Sequence, residues 1–360
     1  MPAISTTTDL TKLLVEIAET PAPTFHEGAR AALIAARWSE FGLRTELDAV
    51  GNVVARVSGR GAKRVALAAH LDTVFEHGTD LTVRKNGARL VGAGIGDNAS
   101  SLAVLTGYAE KIARDGAPCD ITLVATVGEE GLGDLRGAKH FLKQYASALD
   151  AFVAVDGYLG LIVNQAVGVR RYRAHFSSEG GHSWGNAGAA SSVQALGEAI
   201  VELYKLPLSN EPRTTLNVGT VSGGTSVNSV AAHAELLLDL RSLEEGALET
   251  LDLQAQNALQ RAAKRARASL KLETVGDRPA GTTDNAGLMR ASLEALQECG
   301  LTTRSVASST DANAAVPHRL PAVGFGVYRG GNAHRLDEWV EPESLSLGLR
   351  ALEVLVNRIR

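Results

Sequence analysis

The sequence predicts an α/β protein: a doubly wound mixed sheet with helices on both faces, interrupted by a smaller inserted α+β domain. Three observations carry this. The apolar runs VALAAH at 65–70, DITLVATV at 120–127 and AFVAVD at 151–156 have the continuous hydrophobicity of strands buried on both faces. Segments of helical period alternate with them, as crossovers of a parallel sheet do. Near Gly168 the character changes, and VRRYRAHFSS sets Tyr172, Ala174 and Phe176 against Arg171, Arg173 and His175. That period of two marks a half-exposed antiparallel strand. The expected layout is a first part at 1–167, an inserted domain at 168–274 and a return to the first domain at 275–360.

Composition narrows the function classes. A chain of 360 residues with 45% apolar and 21% charged residues suits a globular protein with two domains. A net charge of -4 favours neither nucleic acid nor an anionic membrane as partner. The opening MPAISTTTDL has no basic segment followed by an apolar one, and no apolar run approaches transmembrane length. Cys119 and Cys299 are too few for a disulfide framework. A reducing cytoplasm is the expected location.

In chain order, Leu10, Leu13, Leu14, Ile17 and Ala18 follow a helical period, with Thr8 or Asp9 as cap and Pro21 and Pro23 as stops. A second helix spans about 27–41 and ends at Gly42. Strands follow at 52–57 and 65–70. LTVRK, Asn86-Gly87 and ARLV read as a two-residue hairpin of type I′. GAGIGDN at 92–98 is no dinucleotide loop, because the GxGxxG order is absent and a hairpin precedes it. Its glycines read as backbone that aims Asp97. Helices are expected at 100–114 and 135–149, on either side of strand 120–127. The inserted domain reads as strand 169–178, the segment GGHSW, helix 190–204, strand 213–221, the loop SGGTSVNS, strand 231–241 and helix 244–268. Arg261, Lys264, Arg265 and Arg267 form a solvated face of that last helix. Helix 284–299, a strand at 303–307, the turn SSTDANAA, strand 322–327, the loop YRGGNAH and helix 343–358 complete the chain.

The chemistry sits at strand ends. His70 ends one buried run, with Asp72 spaced to reach one ring nitrogen while the other faces a metal. Glu129 and Glu130 follow the second run, and adjacent carboxylates pointing in different directions suit a division between metal ligand and proton carrier. Asp156 ends the third. Asp97 opens an intervening helix, and His334 lies in the loop after the last strand. Buried strands seldom end in such groups without a functional reason.

Taken together, HLDTV, GIGDN, VGEEG and the final GNAH make the chain similar to the co-catalytic dizinc metallopeptidase family of aminoacylase, glutamate carboxypeptidase, peptidase T, acetylornithine deacetylase and succinyl-diaminopimelate desuccinylase. The likeness covers nearly the whole chain. It implies a zinc-peptidase α/β domain with an inserted lid domain through which two chains form a homodimer. It implies two divalent ions, Zn or alternatively Co or Mn. His70 and Asp156 would bind one ion, Glu130 and His334 the other, and Asp97 both. Asp72 would orient His70, and Glu129 would be the general base. The peptide after Asp97 would be cis. GGHSW resembles the lid motif whose histidine, here His182, helps stabilise the oxyanion, typically in the partner's site. Asn228 and Arg241 resemble the pair that holds a substrate carboxylate. Each also has a plainer reading, a turn residue for Asn228 and a strand-end ion pair for Arg241. Asp311 and Asn313 either line the pocket or form an Asx-type turn. His26, His77, His140, His175, His233 and His318 match no ligand position and read as structural or surface residues.

Three functions compete. The first is an exopeptidase of di- or tripeptidase type acting on short peptides. The second is an amidohydrolase that deacylates an N-acyl amino acid, with the same chemistry and a different pocket. The third is a non-catalytic binding protein on the same scaffold, against which the complete set of ligand candidates and Glu129 argues. VGEEGLGDLRG and Asp156 favour the peptidase.

Overall fold

The computed structural model describes residues 6–359, with side chains from Leu10 onward. The opening MPAIS lies outside the described residues, as do the side chains of Thr8 and Asp9, on which the expected first cap rests. The chain forms two compact units. Residues 1–166 and 282–360 make the first, and residues 167–281 make the second.

The first unit begins with helices α1 (Thr6–Glu19) and α2 (Gly28–Glu40) and strands β1 (Thr45–Leu47), β2 (Val53–Val57) and β3 (Gly59–His70). The short strands β4 (Arg84–Asn86) and β5 (Arg89–Val91) follow, then α3 (Ser101–Asp115), β6 (Ala117–Thr126), α4 (Arg136–Tyr145), β7 (Ala151–Val155) and β8 (Leu161–Ala166). The second unit holds β9 (Gly168–Ser177), β10 (Gly181–His182), α5 (Ser192–Leu203), β11 (Thr214–Gly223), β12 (Ser229–Val230), β13 (His233–Ser242), α6 (Glu245–Arg265) and β14 (Ser269–Arg278). The chain returns to the first unit with α7 (Ala286–Glu298), β15 (Arg304–Ser308), β16 (Ala322–Phe325), β17 (Gly330–Gly331), β18 (Trp339–Val340) and α8 (Ser344–Ile359).

The main sheet has the order β1-β2-β6-β3-β7-β16-β8-β15. Its centre, β6-β3-β7-β16, is parallel; β1 and β2 join it antiparallel, as β8 does to β16. Because side chains alternate along each strand, one set of residues serves each face. Val65, Leu67, Ala69, Leu123 and Val153 pack with apolar residues of α1, α2, α3, α7 and α8. Ala66, Ala68, Val124, Phe152 and Ala154 pack with α4 and the 3₁₀ segment Asp311–His318. The continuous apolar runs thus reflect two separate cores. In the second unit the sheet β11-β13-β9-β14 buries one face under α5 and α6.

Several expectations shift. The main sheet gains β8 and the second unit's sheet gains β14, strands the sequence reading did not assign. β14 pairs along nearly all of β9, so the second unit extends to Gly281 and not to 274. The hairpin pairs Asn86 with Arg89, so Gly87 and Ala88 occupy the turn, with Gly87 at φ 61°. Ala88 has no positive φ, so the turn is not type I′. SSTDANAA begins a 3₁₀ segment capped by Thr310 and Asn313. Both cysteines are free thiols. Among the described residues no helix is long and apolar enough to cross a membrane.

α4 sits very close to the end of β6. A Cβ on Gly137 would lie 2.2 Å from Asn52 Oδ1 and 2.5 Å from the Val127 nitrogen. Buried Asn52 fills that contact, accepting the Val127 N–H at 2.9 Å and donating to the Gly137 carbonyl at 3.0 Å. Gly137→Ala, a favourable change in most helices, should here lower the free energy of urea unfolding by about 1–3 kcal/mol through overpacking. An unchanged unfolding midpoint would refute that close approach.

Candidate metal centre

Parallel register assembles the site. His70 pairs with Thr126 and Ala68 with Ala154, so β6, β3 and β7 end side by side. His70, the turn Gly128-Glu129-Glu130 and Asp156 therefore leave the sheet at one edge, the carboxyl edge where α/β sheets bind ligands.

His70 is buried, with Nε2 3.0 Å from Asp97 Oδ1. Its Nδ1 lies 3.0 Å from the main-chain oxygen of Asp72 and 3.6 Å from the Asp72 carboxylate. The closer orienting contact is thus a carbonyl, a different atom from the one the spacing suggested. A ring nitrogen donating to a carbonyl leaves the other free as a ligand. The Asp72 carboxylate accepts the N–H groups of Glu129 and Glu130 at 2.9 Å each and the Thr24 hydroxyl at 2.9 Å. It fixes the Glu-Glu turn more directly than the imidazole. Fully buried Arg30 lies behind this corner, donating to the Leu71 carbonyl at 2.8 Å and to the Thr20 carbonyl. Burial lowers its pKa to about 10, against the pull of Asp72.

Asp97 is shared between two histidines. Oδ1 lies 3.0 Å from His70 Nε2, and Oδ2 lies 3.2 Å from His334 Nε2. His334 Nε2 is also 3.0 Å from Glu130 Oε1. The Asp97–Asn98 peptide is cis. His334 sits in the loop between β17 and β18 with φ 66°, a left-handed conformation uncommon outside glycine. Asp97 and Glu130 raise its pKa to about 11. For Asp97 burial favours the neutral acid, but the contacts with His334 and His70 prevail and lower its pKa. Burial, then the charge on Asp97, pushes Asp156 up to about 7.

His70, Asp97 and Asp156 bring one ligand atom each within 4.8 Å of one another, as do Asp97, Glu130 and His334. His70, Glu129 and Glu130 form a third such group. The first two triads meet in Asp97 and suit two ions. The buried Oδ1 of Asp97 accepts no hydrogen bond despite its closeness to His70, as befits an oxygen and a nitrogen aimed at a common third body. The set of imidazoles and carboxylates matches the donors Zn²⁺, Co²⁺ and Mn²⁺ prefer.

His182 and Asn228 lie in the second unit, in and beside the paired strands β10 and β12. His182 Nδ1 accepts the N–H groups of Trp184 and Gly185 at 3.2 Å each. In a neutral ring this puts the proton on Nε2, which then serves as a donor. Asn228 accepts the Ser226 hydroxyl through its side chain and the Ser183 N–H through its carbonyl. Arg241 is not beside it. It pairs across the sheet with Val169 and Thr215, eight positions from His233, and its guanidinium donates to Asp239 at 2.7 Å. The structure does not bring Asn228 and Arg241 together within one chain. Asp311 and Asn313 are buried; Asp311 accepts the Thr126 hydroxyl at 2.5 Å, and Asn313 accepts the Thr310 N–H in the cap.

The sequence reading missed Thr24, Arg30, Asn52 and Glu338. Glu338 is buried, accepts the Asp97 N–H at 2.9 Å, and is pushed up to about 8 by burial and the nearby Asp97 charge. No sequence pattern marks it, because the contact spans 241 positions.

The model of peptidase family M20/M25/M40 matches residues 66–358. An acetylornithine deacetylase from Edwardsiella ictaluri (strain 93-146) is 27% identical over 276 residues, 67% of this chain and 69% of the relative. The chain thus spans about two thirds of that relative's length. A tripeptidase structure from Staphylococcus aureus superposes with a TM-score of 0.80 at 21% identity, covering 98% of each chain. A dinuclear metal binding peptidase from Bacillus subtilis, YXEP, superposes with a TM-score of 0.71 at 17% identity, also covering 98% of each chain.

The shared carboxylate sets a test. Isothermal titration of chelator-treated protein with Zn²⁺ should show about two ions per chain, as overlapping triads require. His70→Ala and His334→Ala should each remove one binding event, and Asp97→Ala should weaken both. A single ion in the parent protein would refute the two-triad arrangement.

Proposed function

The chain belongs to peptidase family M20/M25/M40, and from that premise we propose that it is a dinuclear-metal hydrolase that cleaves the amide bond of short peptides as a di- or tripeptidase. The carrying observation is the division of Asp97 between His70 and His334, one oxygen to each. Zn is the proposed metal, with Co or Mn as alternatives. His70 and Asp156 would hold one ion, Glu130 and His334 the other, and Asp97 would join them. When bound, such ions lower the pKa of a water and polarise a carbonyl oxygen.

The remaining work falls to side chains. Glu129, held by its own N–H on Asp72, takes the proton of the attacking water and delivers it to the departing nitrogen. Asp72 keeps Glu129 and Glu130 apart in role by fixing both main-chain N–H groups. His182 donates from Nε2 to the developing oxyanion, a role its Nδ1 contacts support. Asn228 and Arg241 hold the substrate carboxylate.

A homodimer through the second unit completes the proposal. β11 is an edge strand, and beside it α5 exposes Val193, Val201 and its C-cap Tyr204. An open strand edge with apolar neighbours suits pairing with a second copy. A cytoplasmic location fits the free thiols. The deacetylase likeness favours a second reading, removal of the acyl group from an N-acyl amino acid. Hydrolysis rates on di- and tripeptides set beside N-acyl amino acids decide between the two. Failure on every amide substrate by protein loaded with two ions would refute both.

Glu129→Gln should keep its metal and lose at least about a hundredfold in kcat, the scale of a lost general base. Glu130→Gln should lose metal instead, and the reverse pattern would exchange their roles. His182→Ala should lose about a hundredfold to a thousandfold in kcat with metal content unchanged, as expected for a missing oxyanion donor. Co-expression of His182→Ala with Glu129→Gln should restore activity in mixed dimers, where one site combines a native base with the partner's native histidine. Inactive mixed dimers of two well-folded parents would show that His182 does not act across chains.

A further inference from the structure

We infer that Glu338 is a positioning residue that locks the loop carrying Asp97 to the loop carrying His334, so that two ligands of one ion are set as a single piece. This rests on the dinuclear reading above.

The coupling is built from backbone. β5 ends at Val91, and the glycine-rich segment 92–98 follows at once, leading to Asp97. His334 lies between β17 and β18, and β18 pairs with β5, Trp339 opposite Val91 and Val340 opposite Leu90. Glu338 stands where these segments meet. Its main-chain oxygen accepts the Gly92 N–H at 2.9 Å, and its Oε1 accepts the Asp97 N–H at 2.9 Å. One residue therefore takes up polar groups at the start of the segment and at Asp97, near its end.

The segment is shaped to admit it. A Cβ on Gly96 would lie 2.4 Å from Glu338 Oε1 and 2.9 Å from the Tyr328 hydroxyl oxygen. Only glycine leaves room for the carboxylate to reach the next residue's N–H. Glu338 also lies off the three ligand triads, so its part is to hold ligands in place. Lining up the Asp97 backbone fixes where both carboxylate oxygens point. The His334 loop is shaped locally by Asn332 and Arg335, which both donate to Asp337, and Glu338 anchors its end. Loss of the acceptor would disturb two ligands of the Asp97–Glu130–His334 triad and only one of the His70–Asp97–Asp156 triad. The two ions should respond unequally.

The test uses Glu338→Gln, which keeps an acceptor for the Asp97 N–H, and Glu338→Met, which keeps the bulk and removes it. Zn²⁺ titration of chelator-treated protein reads both binding constants, and thermal unfolding checks the fold. The parent protein should hold two ions. Glu338→Met should weaken one of the two by about tenfold to a hundredfold, the usual effect of losing a partner behind a metal ligand, and the other by less. Glu338→Gln should restore the weakened site to within about threefold, since the acceptor behind the ligand is again present. Parent affinity for both ions in Glu338→Met would overturn the inference, as would an equal loss of both or a Glu338→Gln protein no better than Glu338→Met. A parent protein that binds fewer than two ions would instead refute the dinuclear reading. Should Glu338→Met fail to fold, hydrogen exchange of the metal-free parent decides the matter. Segments 92–98 and 334–340 should then open at a common rate, and independent opening would overturn the inference.

Discussion

The in-register ending of β6, β3 and β7 is the constraint on which the candidate site depends. Parallel pairing puts His70 level with Thr126, and the next residues of each strand inherit that alignment. Strand side chains alternate between faces, so a slip of one residue would exchange the two cores and turn Leu67 toward the face of Ala66. The apolar packing on both faces thus holds the register, and the register holds the ligands. The polar groups at the edge add little to that choice.

What the edge groups do is manage charge. Asp97, Asp156, Glu129 and Glu130 crowd around buried His70 and exposed His334. Burial and the charge on Asp97 drive Asp156 toward its neutral form, while Asp97 keeps its charge through two imidazoles. Such a cluster is unfavourable in a plain core, where ionised groups need close partners. Two cations among these carboxylates would relieve it, and binding to the folded chain alone would add to stability. The corner formed by Arg30, Leu71 and Asp72 follows the same logic. A buried guanidinium satisfied by carbonyls leaves the Asp72 carboxylate free to accept from Thr24, Glu129 and Glu130.

The large elements were legible because burial writes itself into composition. Runs such as VALAAH cannot be surface strands, and their ends pointed to His70, Glu129, Glu130 and Asp156 before any fold was known. The second unit was harder. β14 alternates Leu270 and Leu272 with polar residues as an exposed edge strand, a weak signal after a long helix. The hairpin was displaced because Asn86-Gly87 looks like a turn centre, whereas cross-strand pairing closes it on Asn86 and Arg89. Thr24, Arg30, Asn52 and Glu338 were invisible for a different reason. Each makes its contact with groups distant in sequence, and such contacts leave no periodicity. Glu338 reaches Asp97 across 241 positions.

The placement of Asn228 and Arg241 bears on how many chains one site needs. Eight positions of extended strand separate Arg241 from His233, roughly 27 Å at the usual rise per residue. Asn228 and His182 lie beyond the His233 end of the sheet, tied together by the Ser183 N–H and by β10 and β12. A carboxylate on a short peptide is only a few ångströms across. It cannot touch both ends of one such sheet. If Arg241 and Asn228 grip the same substrate, they belong to different chains, and His182 arrives with Asn228. Arg241 is already half committed to Asp239, which Arg171 also engages, so its remaining donors have a fixed direction. The plainer reading of Arg241, an ion pair at a strand end, and the shared-site reading therefore differ in one physical respect. Only the second demands that a site on one chain be completed by the far end of another chain's sheet.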